Sequence, residues 1–288
     1  MTETEKQDST ERQVERDEEE KSFHSVILKR TDEYARHPDD VLEFAIREGE
    51  EQIKRPFLSL LLSAIAAGLI LGFTAMAVAV VSEASTNIDN YYFKRILLAL
   101  VYPLGFVICV MSGAELFTEH TATAVYPVLD KRSSFLLLFR LWGIVLLGNL
   151  IGAIASSGLL VSAEEVIGAK NGYIEIGKHL VGYSFWPLIA SSLLAGWLMA
   201  LGSWLLFATP LGISQVITIY IVTFLIGIGQ LHHSIAGSVE MFTAYFISDQ
   251  FTFPQLLSFI STAALGNLIG GSIFVALLNY SHIRHLRS

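Results

Sequence analysis

The chain has 288 residues, of which 52% are hydrophobic and 16% charged, with a mean hydropathy of +0.53 and a formal net charge of −8. A soluble domain is about 25% charged, so this balance excludes a soluble enzyme and a disordered protein. Without a basic surplus for phosphate it also excludes a nucleic-acid binder.

The charge is concentrated at the start: residues 1–56 hold 17 of the 27 acidic and 10 of the 19 basic residues. Residues 1–22 are polar and acidic, which predicts no secretory signal peptide there, and 1–38 read as a disordered acidic tail. Residues 39–56 predict an amphipathic helix, with Asp39 and Asp40 after Pro38 as candidate caps. Leu42, Ile46, Gly49 and Ile53 fall on one face of it, the pattern of a helix lying on a membrane surface. Residues 57–281 form the membrane domain, and 282–288 a short polar tail.

Spanning a bilayer takes about 20 mostly apolar residues. Six runs qualify: 57–81, 96–129, 134–161, 182–207, 212–247 and 255–280. Their apolar residues do not alternate as barrel strands would, so the runs are helices and the fold class is an all-α membrane protein with six transmembrane helices. With six spans both termini share a side. That side carries Arg47, Lys54, Arg55, Lys131, Arg132, Arg284 and Arg287, against Lys94, Arg95, Lys170 and Lys178 opposite, which predicts cytoplasmic termini in the cell membrane.

LGNLIGA at 147–153 recurs as LGNLIGG at 265–271, an offset of 118. Each copy lies in the third span of its half. Three spans per half is an odd number, so the second copy enters the membrane inverted, a 3+3 repeat. In both halves the second span of the three is long and interrupted, and the interruptions hold nearly all the ionisable residues inside the spans. The first reads GAELFTEH at 113–120, with Glu115, Glu119 and His120; the second reads GQLHHSIAGSVE at 229–240, with His232, His233 and Glu240. On the offset of 118, Glu115 aligns with His233. Such groups at membrane depth face a protein interior or a water-filled path. Two re-entrant breaks are expected to meet near the middle of the protein and to offer free half-helix amides to an anion. Glu115 is expected to cap the broken helix or bond loop amides, Glu119 and His120 to reach the surface, and Asn149 and Asn267 to hydrogen-bond between helices or hold the loop backbone.

Other chemistry finds no support. Cys109, the one cysteine, forms no disulfide or CxxC pair and reads as a small buried side chain. The chain has no HExxH metal pair, no GxSxG elbow and no phosphate-cradling loop. An enzyme, an ATP-driven pump, a metal site and a bound cofactor are therefore not expected.

The broken segments resemble the formate/nitrite transporter family over about residues 40–281. Gly113 to Thr118 match its G-A-[ED]-L-F-T. His233 to Ala236 match its H-S-I-A, Gly148–Asn149 and Gly266–Asn267 its G-N pairs, and Ala67–Gly68 its A-G. The resemblance implies an aquaporin-like helical fold in the lipid bilayer, assembly as a homopentamer with a pore in each protomer, and passage of a small monovalent anion such as formate, nitrite or hydrosulfide. It maps the family's central histidine to His233, its loop threonine to Thr118 and the apolar residues beside the pore to Leu116 and Phe117. By spacing, Tyr102, Phe106, Met199 and Ile226 would line the narrowings. Three polar partners of the family pattern are replaced, by His232, Gly237 and the Ala195–Gly196 pair.

His233 would then donate a proton or a hydrogen bond to the anion, with the Thr118 hydroxyl at the same point, and Lys178 or His179 would supply charge at the mouth. A channel for a small neutral solute and a non-conducting membrane scaffold are the alternatives.

Overall fold

The computed structural model describes residues 37–210 and 212–285, so the predicted acidic tail lies outside the described residues as far as residue 36, as does the chain beyond 285. Among the described residues every regular element is helical.

Helix α1 (Pro38–Lys54) begins at His37, whose side chain accepts from the Asp39 amide. Asp39 and Asp40 therefore lie in the first turn, favourable to the helix dipole, and do not cap it. Its apolar face, with Leu42, Ile46, Gly49 and Ile53 buried, is turned onto the protein. A Cβ at Gly49 would fall on the Thr123 carbonyl.

The first span is α2 (Phe57–Ile70) continued by α3 (Gly72–Ala84). The second is α4 (Tyr91–Val101) with α5 (Pro103–Met111), after which the chain breaks and re-enters as α6 (Phe117–Thr123) and α7 (Tyr126–Leu129). The third is α8 (Phe135–Ser162), a 28-residue helix capped by Ser134. A short turn α9 (Glu164–Ile167) and the helix α10 (Lys170–Val181) lead to the fourth span, α11 (Phe185–Ala208). The fifth crossing is a bent pair, α12 (Ile213–Gly229) and α13 (Ser234–Ile247), at 53° to each other. The sixth is α14 (Phe253–Gly271), a π-helical turn (Ser272–Leu277) and α15 (Leu278–His285), so this span runs to Arg284, past the predicted 280.

The two halves are built alike. In each, the first span packs on the third through small residues: Gly68, Gly148 and Gly152 where α2 meets α8, and Gly196, Gly266 and Gly270 where α11 meets α14. A Cβ at Gly68 would overlap the Asn149 carbonyl, and one at Gly196 the Asn267 backbone. Close backbone approach through small residues is how helices associate in lipid, where burying apolar surface supplies no drive. Large apolar side chains such as Leu136, Leu159 and Trp186 stay exposed on the outside.

Candidate functional site: a constriction between two broken helices

Each break is made by the same backbone device. Gly113 and Gln230 take left-handed φ angles of 68° and 49°. Behind them Ala114 N bonds Cys109 O at 3.3 Å and Leu231 N bonds Ile226 O at 3.0 Å, while Gly113 N bonds Val110 O and Gln230 N bonds Gly227 O, both at 3.0 Å. These are the paired bonds of a Schellman stop. Three residues later Leu116 and His233 are the extended caps of α6 and α13.

The loops are held by an asparagine in each half. Asn149 Oδ1 accepts from Phe117 N at 2.8 Å, and its Nδ2 donates to Ala64 O and Glu115 O, each at 2.8 Å. Asn267 Oδ1 accepts from Ser234 N at 2.7 Å, and its Nδ2 donates to Ser192 O at 2.6 Å and His232 O at 3.1 Å. Ser63 and Ser191 repeat this pattern on the amides of Glu115 and His232, at 3.3 and 3.2 Å.

The breaks therefore align 117 positions apart, while the asparagines align 118 apart. The counterpart of His233 is Leu116, and that of Glu115 is His232; the sequence offset is one residue out at the breaks.

His233 is 1% exposed. Its Nε2 lies 2.9 Å from Thr118 Oγ1, and its Nδ1 accepts from Ile235 N and Ala236 N, both at 3.2 Å. An acceptor nitrogen carries no proton, so the ring is the neutral Nε2–H tautomer, assigned from its partners. Phe106 packs edge-on to the ring at 5.0 Å, and Tyr102 packs on Phe106 at 5.2 Å. The first amides of α13 are all taken, by Asn267 and by His233 itself. The expected free amides are therefore not available there, because the capping side chains use them.

A cavity of about 440 Å³ leads to His233 from the side of the 3–4 connection, and Tyr102 and Ile226 line it. Lys94, Arg95 and His179 also line it. Arg95 donates to the Ile228 carbonyl, which fixes its guanidinium at the wall. His179, on α10 outside the spans, is held below its usual pKa by burial, with Arg95 adding to this and a hydrogen bond to the Gln230 carbonyl opposing it. The lowering favours the neutral ring, so the cavity's positive charge rests on Lys94 and Arg95. Lys178 is turned away and pairs with Glu175 at 3.2 Å.

A second, much smaller pocket lies on the other side of the constriction. Met199 and Glu119 line it, with Val110, Val222 and Thr223.

The structure thus gathers Tyr102, Phe106, Ile226, Thr118 and His233 around one point and sets Met199 beyond it. Leu116 and Phe117 are buried in the loop core. Glu115 lines neither cavity: its carboxylate is shared between Arg55 and His120. His120 is 4% exposed and does not reach the surface as expected, because this pairing and a bond from Trp142 Nε1 to its carbonyl at 2.9 Å hold it inside. His232 turns the other way from His233. It stacks on His179 at 5.3 Å, and its Nδ1 meets Ser191 Oγ at 2.7 Å.

Two of the three replaced family positions have packing reasons. Gly237 lies against the Phe259 ring and Gly196 against Asn267, so neither has room for a larger side chain. Sequence reasoning missed Lys94, Arg95, Gln230 and Glu240 as residues lining this cavity. Lys94 and Arg95 were legible only as flanking charge, and Glu240 only as a charge inside a span.

A family model described as formate/nitrite transporter matches residues 39–281. The inner membrane protein YfdC of Escherichia coli (strain K12) is 32% identical over 245 residues, covering 83% of this chain and 76% of that protein. Among solved structures, an FNT family ion channel superposes with a TM-score of 0.77 at 17% identity, covering 85% of this chain and 99% of the other. A pentameric formate channel with formate bound superposes with a TM-score of 0.67 at 21% identity, covering 79% and 97%. These likenesses bear out the six-span, inverted-repeat, aquaporin-like fold.

Proposed function

The chain belongs to the formate/nitrite transporter family, and from that premise we propose that it is a transmembrane channel or transporter for a small monovalent anion such as formate, nitrite or hydrosulfide. The family is one of transporters by its own description, which agrees with the exclusion of an enzyme. The observation that carries the reading is the junction of the two breaks at His233 and Thr118, 2.9 Å apart, at the end of a cavity bearing Lys94 and Arg95.

An anion entering an apolar constriction loses hydration, a cost of several kcal/mol unless other donors replace it. Lys94 and Arg95 raise its concentration in the cavity. At the constriction His233 Nε2–H and the Thr118 hydroxyl are the donors that can turn to it. His233 acts here as a hydrogen-bond donor: its Nδ1 is occupied by two amides, so it has no second proton to give. Tyr102, Phe106 and Ile226 keep the approach dry, and Met199 does so beyond it. Leu116, Phe117, Glu115, Asn149 and Asn267 hold the loops that present Thr118 and His233.

The assembly is a homopentamer in the cytoplasmic membrane with both termini in the cytoplasm. The likeness to the pentameric formate channel supports the assembly, and the exposed apolar face offers the surface that neighbouring protomers and lipid would cover. Residues 57–281 form the channel domain, and 39–56 a helix at its cytoplasmic end.

The test is flux into proteoliposomes holding the purified full chain. Formate, nitrite and hydrosulfide are compared with glycerol at about pH 5.5 and 7.5, on either side of the usual histidine pKa. Anion flux above that of empty liposomes is expected, falling severalfold in Lys94→Ala. Glycerol flux without anion flux overturns the reading.

A further inference from the structure

Two carboxyl groups flank the constriction, and nothing in the site so far uses them. Glu240, on α13, lines the large cavity together with His233 and is 6% exposed. Glu119, on α6 next to Thr118, lines the small pocket on the far side. Glu115, by contrast, is tied to Arg55 and His120. Among the described residues the side chains of Glu240 and Glu119 have no hydrogen-bond or ion-pair partner.

The surroundings of Glu240 offer it no counter-ion in contact. Its own helix adds His233. Across the cavity stand Lys94, Arg95, Tyr91 and Tyr102, and α10 contributes Glu175, His179 and the outward Lys178. Tyr183 also lines the cavity. On α3, Glu83 is engaged by Asn171 and Gly172. Helix α8 carries only Arg140, which bonds the Ile53 and Arg55 carbonyls at the opposite end, and α2 and α14 carry no charge. Around Glu119 stand His120 and Glu115, already paired with each other, and the buried Cys109 thiol on α5, with Glu48 on α1 beyond His120.

An unpaired carboxylate at this depth is an uncompensated charge, and it would repel an anion on either side of the constriction. A carboxylic acid is instead a proton donor. His233 cannot fill that role while two amides hold its Nδ1. The groups that can are the two glutamates.

We propose that Glu240 and Glu119 are the proton-carrying residues of the pathway: Glu240 gives the anion a proton in the cavity and Glu119 takes it back beyond the constriction, so that the neutral weak acid is the species that passes His233 and Thr118. This rests on the anion-transport reading. On entry the O–H bond of the Glu240 acid breaks, a bond forms between that proton and the basic atom of the anion, and cavity water reprotonates the carboxylate. On exit Glu119 first releases its own proton to the water beyond the constriction, and the acid's proton then passes to the carboxylate so formed. No electrons are transferred, and the cycle runs in either direction. Lys94 and Arg95 collect the anion, and the glutamates discharge it.

The test uses the full chain in proteoliposomes with a trapped pH dye, following formate and proton entry together, corrected for empty liposomes. Wild type is expected to bring in one proton with each formate, faster at acid pH. Glu240→Gln and Glu119→Gln keep shape and hydrogen bonding but hold no transferable proton. Each is expected to lower flux by about tenfold or more and to flatten its pH dependence, with unchanged assembly by size exclusion.

Glutamine variants with wild-type rate and pH profile overturn the proposal and leave the transport reading intact. So do variants that slow at all pH values with the same slope, the mark of a merely structural role. Wild type without anion flux overturns the transport reading and this one with it. Should a glutamine variant fail to assemble, the aspartate variant at that position decides. Retained proton co-entry with a shifted pH profile supports the proposal, and an unshifted profile overturns it.

Discussion

Asn149 and Asn267 make the same three hydrogen bonds in the two halves of the protein. Each accepts from the first amide of a half-helix, donates to the loop carbonyl before it, and donates to the first span of its half. In lipid these backbone groups have no water to turn to. Asn149→Ala and Asn267→Ala each strand a buried amide and a buried loop carbonyl and remove a bond to a helical carbonyl, and each is expected to cost about 3 kcal/mol, read as a lowered unfolding temperature in detergent. The losses should be similar in stability and unequal in transport. Asn267 seats the amide that follows His233, whereas Asn149 seats a loop whose cap is Leu116. Equal flux in the two variants would count against His233 as the functional half of the pair.

The large plan of the fold was legible because it is written in patterns that lipid enforces. Six apolar runs, the repeated LGNLIG, and ionisable residues confined to two interruptions need no tertiary information. The register of the breaks was not legible. Counting from LGNLIG carries Glu115 onto His233, but the connection between break and asparagine is one residue longer in the second half, and only the hydrogen bonds reveal it. Asn149 and Asn267 were legible as holding the loop backbone, but the second ligand of the α13 amides was hidden: that His233 spends Nδ1 on its own helix is a matter of side-chain rotation. Glu115 fell between the two, since its carboxylate does support the loop, but through Arg55 and His120 from two separate segments.

His233 caps α13 and also faces the cavity, and the cap can be separated from the transport role proposed for it. Asparagine is a strong helix cap and alanine is not. His233→Asn is expected to keep the amides of α13 satisfied and to retain part of the anion flux. His233→Ala should lose about 1 kcal/mol of stability and most of the flux. Thermal unfolding and proteoliposome flux on the same preparations check this, and an asparagine variant as inactive as the alanine one would mean that the ring itself is required.

Gly196 stands where the family pattern has a polar residue, and restoring one should fail. A Cβ there would lie 2.3 Å from the Asn267 backbone, so even Gly196→Ala forces α11 and α14 apart. The expected cost is about 1–3 kcal/mol, together with a loss of flux through the displaced Asn267. A Gly196→Asn variant with wild-type stability would show that the α11–α14 contact yields more easily than its geometry indicates.

Asp130, in the loop after α7, ties the last helix to the loop. Its Oδ1 accepts from the Tyr280 hydroxyl at 3.0 Å and from Arg284 at 2.7 Å, and its Oδ2 accepts from Arg132 at 2.8 Å. Burial pushes the carboxyl up, but the Tyr280 hydroxyl and the Arg284 and Arg132 guanidinium groups outweigh it and hold it below the usual carboxylate range. A lowered folded pKa means that the unfolded chain takes up the proton first. The stabilisation is therefore fully present above the unfolded value, about pH 4, and is lost as pH falls through the folded one. For a partly exposed cluster it amounts to about 1 kcal/mol. Asp130→Asn should then unfold at a lower temperature than wild type by a constant margin from about pH 8 to 5, with the two converging below about pH 4. Because the cluster does not titrate between about pH 5.5 and 7.5, any change of transport across that range arises elsewhere. A margin that persisted at acid pH would show that the Asp130 side chain acts through packing and not through its charge.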